Sequence, residues 1–295
     1  CGEALVVEPL LDNVGLAGRL VARTGSDAQR AALLPGLIDG TRRLAFAYLE
    51  PGRRYETAPQ TTRARAANGG WVLDGAKCVV VGAPLALQLI VSAHTDAGAS
   101  LFVVDTGAAG LVLNPSRTVD GQRVADVAFT GVTLAADALL GPAGGAQPHI
   151  DEAVDFATAL LCAEAVGAMT YANNATLDYM KTRKQFGVAI ASFQVLQHRI
   201  VECVITTDLA RSMAILAASA VDQGGDPAAR ARAVSAAKVK VADAARQVSQ
   251  EAVQLHGGMG MTEELKVSHT FRRLTMIAQR FGDADHHLER YAALT

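Results

Sequence analysis

The stretch Lys-Thr-Arg-Lys-Gln-Phe-Gly at residues 181–187 follows a long apolar segment and is itself followed by Ser-Phe-Gln at 192–194. The planar guanidinium of Arg183 can clamp a pyrophosphate with two parallel hydrogen bonds, which a lysine ammonium cannot do. Taken alone, Arg183 and Lys184 are explained more simply as charges on a solvated surface. A second motif is therefore needed before this stretch indicates a binding site.

Such a motif is Gln-Leu-His-Gly-Gly at residues 254–258. Gly257 and Gly258 allow a backbone to approach a bulky ligand at a point where a Cβ atom would collide. The amides of Gln254 and Gln194 can each donate and accept hydrogen bonds. A helix that simply stops at the glycine pair is the alternative interpretation.

Periodicity divides the chain into three segments. Residues 1–41 are predicted to be helical, with Ser26 and Gln29 forming a capping box. Residues 42–148 contain short β-rich runs broken by hairpin-type turns, as in a small barrel or sandwich. The turns are Asn68-Gly69-Gly70 and Asp74-Gly75, and the strands are Leu44–Leu49, Trp71–Leu73, Lys77–Val81, Leu89–Ser92, Leu101–Val104 and Val124–Phe129.

Residues 149–295 are predicted to form a bundle of long helices. The stretch 153–180 is apolar nearly all round and is expected to be the buried central helix. Two further helices show apolar stripes at spacings of three and four. One stripe comprises Phe193, Leu196, Ile200, Val204, Leu209, Met213, Leu216 and Ala220; the other comprises Val234, Ala237, Val241, Ala245, Val248, Ala252 and Leu255, between a cap at Asp226-Pro227 and the glycine pair.

Composition excludes several classes of function. The chain has 295 residues, of which half are hydrophobic, and its net charge of −2 gives no reason to expect nucleic acid or an anionic membrane as a partner. No apolar run is expected to cross a bilayer. The four cysteines lack paired spacing, so reduced thiols in a cytoplasmic protein are expected. Asp283, Asp285, His286 and His287 are interpreted as capping and surface groups, and no metal site is predicted.

The two helical motifs, together with Leu-Glu-Pro-Gly at 49–52 and Asp-Gly-Ala-Lys at 74–77, resemble the acyl-CoA dehydrogenase family. The resemblance runs over essentially the whole chain in the family's order. It implies an α+β fold with a helical N-terminal piece, a central β-barrel and a C-terminal four-helix bundle. The expected boundaries are 1–41 for a remnant of the N-terminal helical domain, 42–148 for the barrel and 149–295 for the bundle.

The resemblance also implies a cofactor site. In the family, the helical motifs hold the pyrophosphate and adenosine part of the FAD that is seated in a neighbouring subunit. The implied FAD-binding residues are Arg183, Gln185, Phe186, Gln194, Gln254, Gly257 and Gly258.

Residues that a family member offers to its own flavin are changed. Leu49 stands where the family has threonine, and Arg-Arg-Tyr-Glu at 53–56 replaces a loop of small residues that lies along flavin and substrate. Val79–Val81 replaces an aromatic, an apolar residue and a hydroxyl residue. A valine cannot supply the hydroxyl hydrogen bond that threonine gives a flavin ring atom.

The base is missing as well. Phe281 occupies the place of the family's usual glutamate, and Ala157 occupies the alternative place in the first long helix. Without a carboxylate to take the proton α to the thioester carbonyl, hydride transfer from the β carbon has no partner step, and losing a positioned base typically costs ~10²–10⁴-fold in rate. Replacement candidates are Asp155, Asp283, Asp285 and Glu289, each explained more simply as a helix cap or surface charge.

This pattern is similar to that of heteromeric acyl-CoA dehydrogenases of actinobacterial steroid side-chain degradation. The resemblance implies a dimer or heterotetramer with a homologous, base-bearing subunit, with an acyl-CoA substrate and an electron-transfer flavoprotein as further partners. Two alternatives are left open. One is a self-sufficient homodimer with a relocated base, and the other is a non-catalytic scaffold or acyl-CoA binder.

Overall fold

The computed structural model describes residues 1–294 of the chain. The chain divides into two compact units, Val7–Ala157 and a second unit in which Cys1–Val6 joins the residues from Thr158 onward. A sheet dominates the first unit and long helices dominate the second, which confirms the predicted α+β class. The three-domain boundaries at 41/42 and 148/149 stay predictions.

Three helical segments open the sheet-containing unit: a π-helix at Leu11–Gly18, α1 at Arg19–Thr24 and α2 at Asp27–Ile38. The predicted capping box begins α2, because the Ser26 hydroxyl accepts from the Gln29 N–H at 3.2 Å and the Gln29 carbonyl oxygen accepts from the Ser26 N–H at 2.9 Å. The Gln29 amide also donates to the carbonyl of Leu139 at 2.9 Å, which fixes α2 against the last strand of the sheet.

Eight strands form one sheet, in the order β6-β7-β3-β2-β4-β5-β8, with β1 parallel to β4. Apolar side chains such as Leu73, Val91 and Phe102 are fully buried in its core. Trp71 packs edge-on against Phe102 with ring centroids 5.3 Å apart, as expected of a packing residue. The strands are β1 Leu44–Ala47, β2 Arg63–Ala67, β3 Gly70–Val81, β4 Gln88–Thr95, β5 Gly98–Asp105, β6 Leu111–Arg117, β7 Arg123–Leu134 and β8 Leu139–Leu140.

One predicted turn is confirmed and the other is wrong. Asn68 and Gly69, both with positive φ, connect β2 to β3 as a two-residue hairpin. Asp74-Gly75 is not a turn, because the predicted strands on either side of it are a single strand, β3, with a register irregularity at this point. A Cβ at Gly75 would lie 2.6 Å from the Cα of Thr62, so glycine permits the close approach of the residue that precedes β2.

Five helices and a two-stranded hairpin follow: α3 Gln147–Thr182, β9 Lys184–Gln185, β10 Val188–Ala189, α4 Gln194–Asp222, α5 Pro227–His256, α6 Lys266–Gln279 and α7 Ala284–Ala293. The predicted stripe of α5 is confirmed, since all seven of its members are buried. Asp226 begins this helix by accepting from the N–H groups of Ala228 and Ala229 at 3.0 and 3.1 Å.

The predicted stripe of α4 is wrong. Val204, Leu209 and Leu216 are 45–51% exposed, and the buried face instead carries mainly small and polar residues. That face comprises Ile200, Cys203, Thr206, Thr207, Ala210, Ala214 and Ala217. Small residues allow the neighbouring helix to pack closely, and they leave the large apolar side chains on the outer face.

Helix α3 is long and apolar enough to span a membrane by length and composition, contrary to the expectation from sequence. However, 67% of its most apolar 18-residue window is buried inside the protein. This burial is typical of a core helix, in agreement with the predicted central position of residues 153–180.

Candidate functional site

The first motif forms a hairpin at the end of α3. Strands β9 and β10 pair antiparallel, and the two residues between them, Phe186 and Gly187, both have positive φ, as a tight two-residue turn requires. Phe186 is 93% exposed. Its ring lies edge-on to the Phe193 ring, with centroids 6.2 Å apart. The tip of the hairpin therefore presents an aromatic side chain to solvent.

The second motif lies at the end of α5. Its His256 is buried, donates a hydrogen bond from Nδ1 to the Ala252 carbonyl at 2.8 Å, and stacks on Tyr179 with ring centroids 4.4 Å apart. Burial lowers the pKa of His256, with the Ala252 contact opposing the shift. The Tyr179 carbonyl in turn accepts from the Arg183 N–H at 2.8 Å. His256 is thus a structural link between the two motifs.

A second link joins the helices that carry the glutamines. Arg199 of α4 forms a two-pronged ion pair with Glu251 of α5, at 2.7 and 2.9 Å. This pair places the start of α4 beside the end of α5, at the same end of the helical unit as the hairpin. All seven predicted FAD-binding residues lie at this end and all are exposed: Arg183, Gln185, Phe186, Gln194, Gln254, Gly257 and Gly258.

The chemistry of this end suits a diphosphate that carries an aromatic group. A guanidinium, amides and an exposed ring are available together, and a Cβ added at Gly257 or Gly258 would meet no atom within 4 Å. The chain's own packing therefore does not require glycine at 258, although Gly257, with φ of 60°, ends α5 in a conformation that favours glycine. The residues fit the adenosine and pyrophosphate part of FAD. We refer to these seven residues as the dinucleotide end.

The position that the sequence predicts for the family's usual base carries a buried aromatic side chain. Phe281 is 8% exposed, has φ of 59°, and its carbonyl contacts Nε2 of His287 at 3.1 Å. Lys238, fully buried, donates to the carbonyls of Ala278 and Gly282 at 3.1 and 2.6 Å. Burial lowers the pKa of Lys238 to about 8 and that of His287 to about 3. Two buried nitrogen groups thus hold a turn whose central side chain is apolar.

The four carboxylates considered as replacement bases differ in their surroundings. Asp283 caps α7 by accepting from the His286 N–H at 2.9 Å, and Asp285 and Glu289 are exposed. Asp155 is fully buried in the sheet-containing unit, as is Ala157. Among residues 1–294, no group of three His, Cys, Asp or Glu side chains is arranged to hold a metal ion.

Sequence reasoning missed a buried ion pair in the sheet-containing unit. Glu50 is 3% exposed and accepts from the N–H groups of Gln60, Thr61 and Thr62 at 2.8–3.0 Å, while Lys77 Nζ contacts it at 3.0 Å. Burial acts to raise the pKa of Glu50, but the hydrogen bonds and Lys77 outweigh it and lower the pKa to about 2. Both residues stand in the quoted motifs at 49–52 and 74–77, which was the available signal.

The strand positions that the resemblance predicts to face flavin are distorted here. Val79 lies at a bulge in β3, has φ of 50°, and is 46% exposed, and its N–H donates to Asp126 at 2.9 Å. A β-branched residue with positive φ is a strained outlier. Arg54 also has positive φ, at 40°, and its guanidinium lies 5.2 Å from the Tyr55 ring centre. Bulky, charged side chains therefore occupy the loop that small residues form in the family.

The fold and the candidate site are typical of flavin-dependent dehydrogenases. Comparisons with known proteins identify the family. The acyl-CoA dehydrogenase middle domain matches residues 45–132, and the acyl-CoA dehydrogenase C-terminal domain matches residues 148–293. The acyl-CoA dehydrogenase fadE12 of Mycobacterium bovis is 33% identical over 284 residues, which cover 93% of this chain and 72% of that protein. The chain belongs to the acyl-CoA dehydrogenase family.

Solved structures include heteromeric relatives. A variant of the Tcur3481-Tcur3483 steroid ACAD superposes with a TM-score of 0.88 at 30% identity, covering 99% of this chain and 77% of that one. The ChsE4-ChsE5 complex from Mycobacterium tuberculosis superposes with a TM-score of 0.90 at 26% identity, again over 99% of this chain and 77% of that one. Both resemble this chain over nearly its whole length.

Proposed function

We propose that this chain is a subunit of a heteromeric, FAD-dependent acyl-CoA dehydrogenase. It completes the FAD site of a homologous, base-bearing partner and lacks a base of its own. The complex removes two hydrogens across the α,β bond of an acyl-CoA and passes the electrons to an electron-transfer flavoprotein in the cytoplasm. The names of two structural neighbours, a steroid ACAD and a two-component complex, support a steroid side chain as the acyl group and a heterotetramer as the assembly.

One observation carries the proposal. The residues expected to serve the chain's own flavin are changed, whereas those expected to contact a partner's FAD are kept. Positions that serve a subunit's own flavin are strained, apolar or bulky, as at Val79, Tyr55 and Phe281. The seven residues of the dinucleotide end are all present, and all face solvent. A chain that holds its own cofactor would be expected to keep both sets.

The outer face of α4 supports a protein partner. Seven large apolar side chains of this helix are 45–65% exposed, on the side opposite its buried small residues: Val195, Val201, Val204, Ile205, Leu209, Ile215 and Leu216. Exposed apolar side chains concentrated on one helix face are typical of an interaction site. The helix belongs to the same unit as the dinucleotide end, so a homologous chain is the occupant we propose.

Roles at the shared site follow from side-chain chemistry. FAD, when bound, supplies the hydride acceptor. Arg183 would hold its pyrophosphate by two parallel hydrogen bonds, and the exposed Phe186 ring would cover an aromatic part of the dinucleotide. The side-chain amides of Gln194 and Gln254 would form hydrogen bonds with polar atoms of FAD. Gly257 and Gly258 leave space for the cofactor.

Arg183→Ala is the variant that tests this assignment. In the complex with a base-bearing homologue, loss of a charge-assisted contact worth ~1.5–3 kcal/mol is expected to weaken FAD retention roughly tenfold or more. FAD affinity is measured by fluorescence titration after the cofactor has been removed and restored.

The matched control is Arg65→Ala, which removes a surface guanidinium that is 71% exposed and pairs with Asp74 at 3.5 Å in the other unit. The control is expected to leave FAD affinity unchanged. Equal affinities for both variants and the unmodified complex would show that Arg183 is only a surface charge.

Phe281→Glu tests whether the base is the only missing part. A carboxylate would then stand at the family's usual position, yet we expect no dehydrogenation by the single chain in excess FAD, because Val79–Val81 cannot seat a flavin ring. We also expect lower stability, since a buried carboxylate replaces an apolar side chain. Turnover of an acyl-CoA is measured beside Phe281→Leu, which keeps the site apolar. Clear activity of the glutamate variant alone would mean that this chain has a usable flavin pocket.

A further inference from the structure

A cleft of about 360 Å³ lies in the sheet-containing unit, and none of the seven residues of the dinucleotide end lines it. The loop between β6 and β7 forms one side of it, and the end of β3 forms another. Its polar side chains are those of Glu8, Arg117, Gln122 and Arg123. Its volume is within the range of small-molecule sites.

The two arginines of this cleft stand directly opposite each other. Arg117 and Arg123 are register partners in the antiparallel β6–β7 pair. Like charges in directly opposite positions destabilise a sheet. Within the described residues 1–294, neither guanidinium forms an ion pair with a carboxylate. An arrangement that is unfavourable in the free protein becomes favourable when an anion lies between the two groups.

A glutamine adds a hydrogen-bond donor to the same cleft. Gln122 is only 7% exposed and lines the cleft. Its backbone carbonyl accepts from the Thr118 N–H at 3.0 Å, which shapes the loop. Its side-chain amide makes no hydrogen bond to any residue that the structure describes, from 1 to 294. Its polar atoms are not among the buried side-chain atoms that lack a partner, so the amide is open to solvent and can donate to a ligand in the cleft.

The other residues that line the cleft indicate the chemistry of the rest of the ligand. Val7, Pro9, Val81 and Leu85 provide apolar surface, and Glu8 provides an exposed acceptor. The Gly82 N–H donates to the Arg123 carbonyl at 2.9 Å, which holds the end of β3 against the arginine-bearing strand. Two guanidiniums outweigh the single carboxylate, and Glu8 can accept from a hydroxyl or amino group of the ligand.

We infer that this cleft binds the phosphate or diphosphate group of a small organic ester, with Arg117 and Arg123 clamping the anion and Gln122 donating to it. A free nucleotide and coenzyme A carry this same chemistry. The site is separate from the shared FAD site, and it does not depend on the proposed function.

Calorimetric titration of the single chain with pyrophosphate, ADP and coenzyme A tests the inference. At least one probe should bind, and Arg117→Gln and Arg123→Gln should each weaken its binding tenfold or more. Binding of pyrophosphate and ADP identifies the diphosphate as sufficient, whereas binding of coenzyme A alone identifies the coenzyme as the source. Arg63→Gln, which removes an exposed arginine from β2 outside the cleft, is the matched control and should bind as the unmodified chain does.

Thermal unfolding provides a second readout. Without ligand, Arg123→Gln should have an equal or higher Tm than the unmodified chain, because it relieves the repulsion from Arg117. With ligand, only the unmodified chain and Arg63→Gln should gain Tm. Failure of all three probes to bind, or an equal loss in the control, would overturn the inference.

Discussion

Glu50→Ala is expected to lower the free energy of unfolding by about 3–5 kcal/mol, which is typical of removing one partner from a buried ion pair. The variant leaves the Lys77 ammonium, 1% exposed, without its carboxylate. It also frees the N–H groups of Gln60, Thr61 and Thr62, so the loop that they hold loses its anchor. Denaturant unfolding followed by circular dichroism measures the change.

The control for this prediction is Glu56→Ala in the same loop. Glu56 is exposed and lies 3.6 Å from Arg53, so its removal should change stability by no more than about 0.5 kcal/mol. Equal effects of the two variants would show that the buried pair contributes no more than a surface contact.

The pH dependence has a definite sign. The pKa of Glu50 is lowered to about 2 from an ordinary value of 4.5. Its contribution to stability is therefore fully present above pH 4.5 and is lost as the pH falls towards 2, where the folded protein takes up the proton. The unmodified chain should lose stability over this interval more steeply than Glu50→Ala does.

The resemblance to the family implied the fold class, whereas strongly periodic segments and a capping motif predicted individual elements, because such patterns specify their elements locally. The stripe of α5 is an example, since its valines, alanines and leucine have a single apolar side to bury. The Ser26–Gln29 box is another, because both of its hydrogen bonds lie within four residues. These features need no knowledge of the rest of the chain.

Helix α4 shows where such reasoning fails. It is apolar on two sides, so spacing could not decide which side faces the protein interior. The structure buries residues such as Ala210, Ala214 and Ala217 and exposes Ile205 and Leu209. Small side chains suit close helix packing, and the larger ones lie on the exposed face. The buried face cannot be predicted from periodicity when a helix is apolar on two sides.

The sequence predicted which residues form the candidate site, but it did not predict the contacts that bring them together. Motifs indicated Arg183 and Gly257, but only the structure shows that Tyr179 and His256 bring their helix ends together. Asp74-Gly75 was misinterpreted because Asp-Gly is a strong local turn signal, whereas the glycine serves the close approach of the residue that precedes a neighbouring strand. Long-range contacts of this kind leave no local pattern.

Flavin content of the single chain is expected to be essentially zero, which is the largest effect the account predicts. Val79 is strained and bulged, and no hydroxyl is available at Val80 or Val81 to bond a flavin ring. The dinucleotide end offers contacts to only one part of FAD. We therefore expect a single chain to be unable to retain FAD or to use it.

The number of flavins per chain distinguishes a subunit that completes a partner's FAD site from one that holds its own FAD. The chain is purified alone and after co-expression with a base-bearing homologue, and flavin is released by denaturation and quantified against protein by absorbance. The account predicts a colourless, inactive single chain and a complex that holds fewer flavins than chains, about one for each pair. One tightly bound FAD per chain in the single-chain preparation would contradict it.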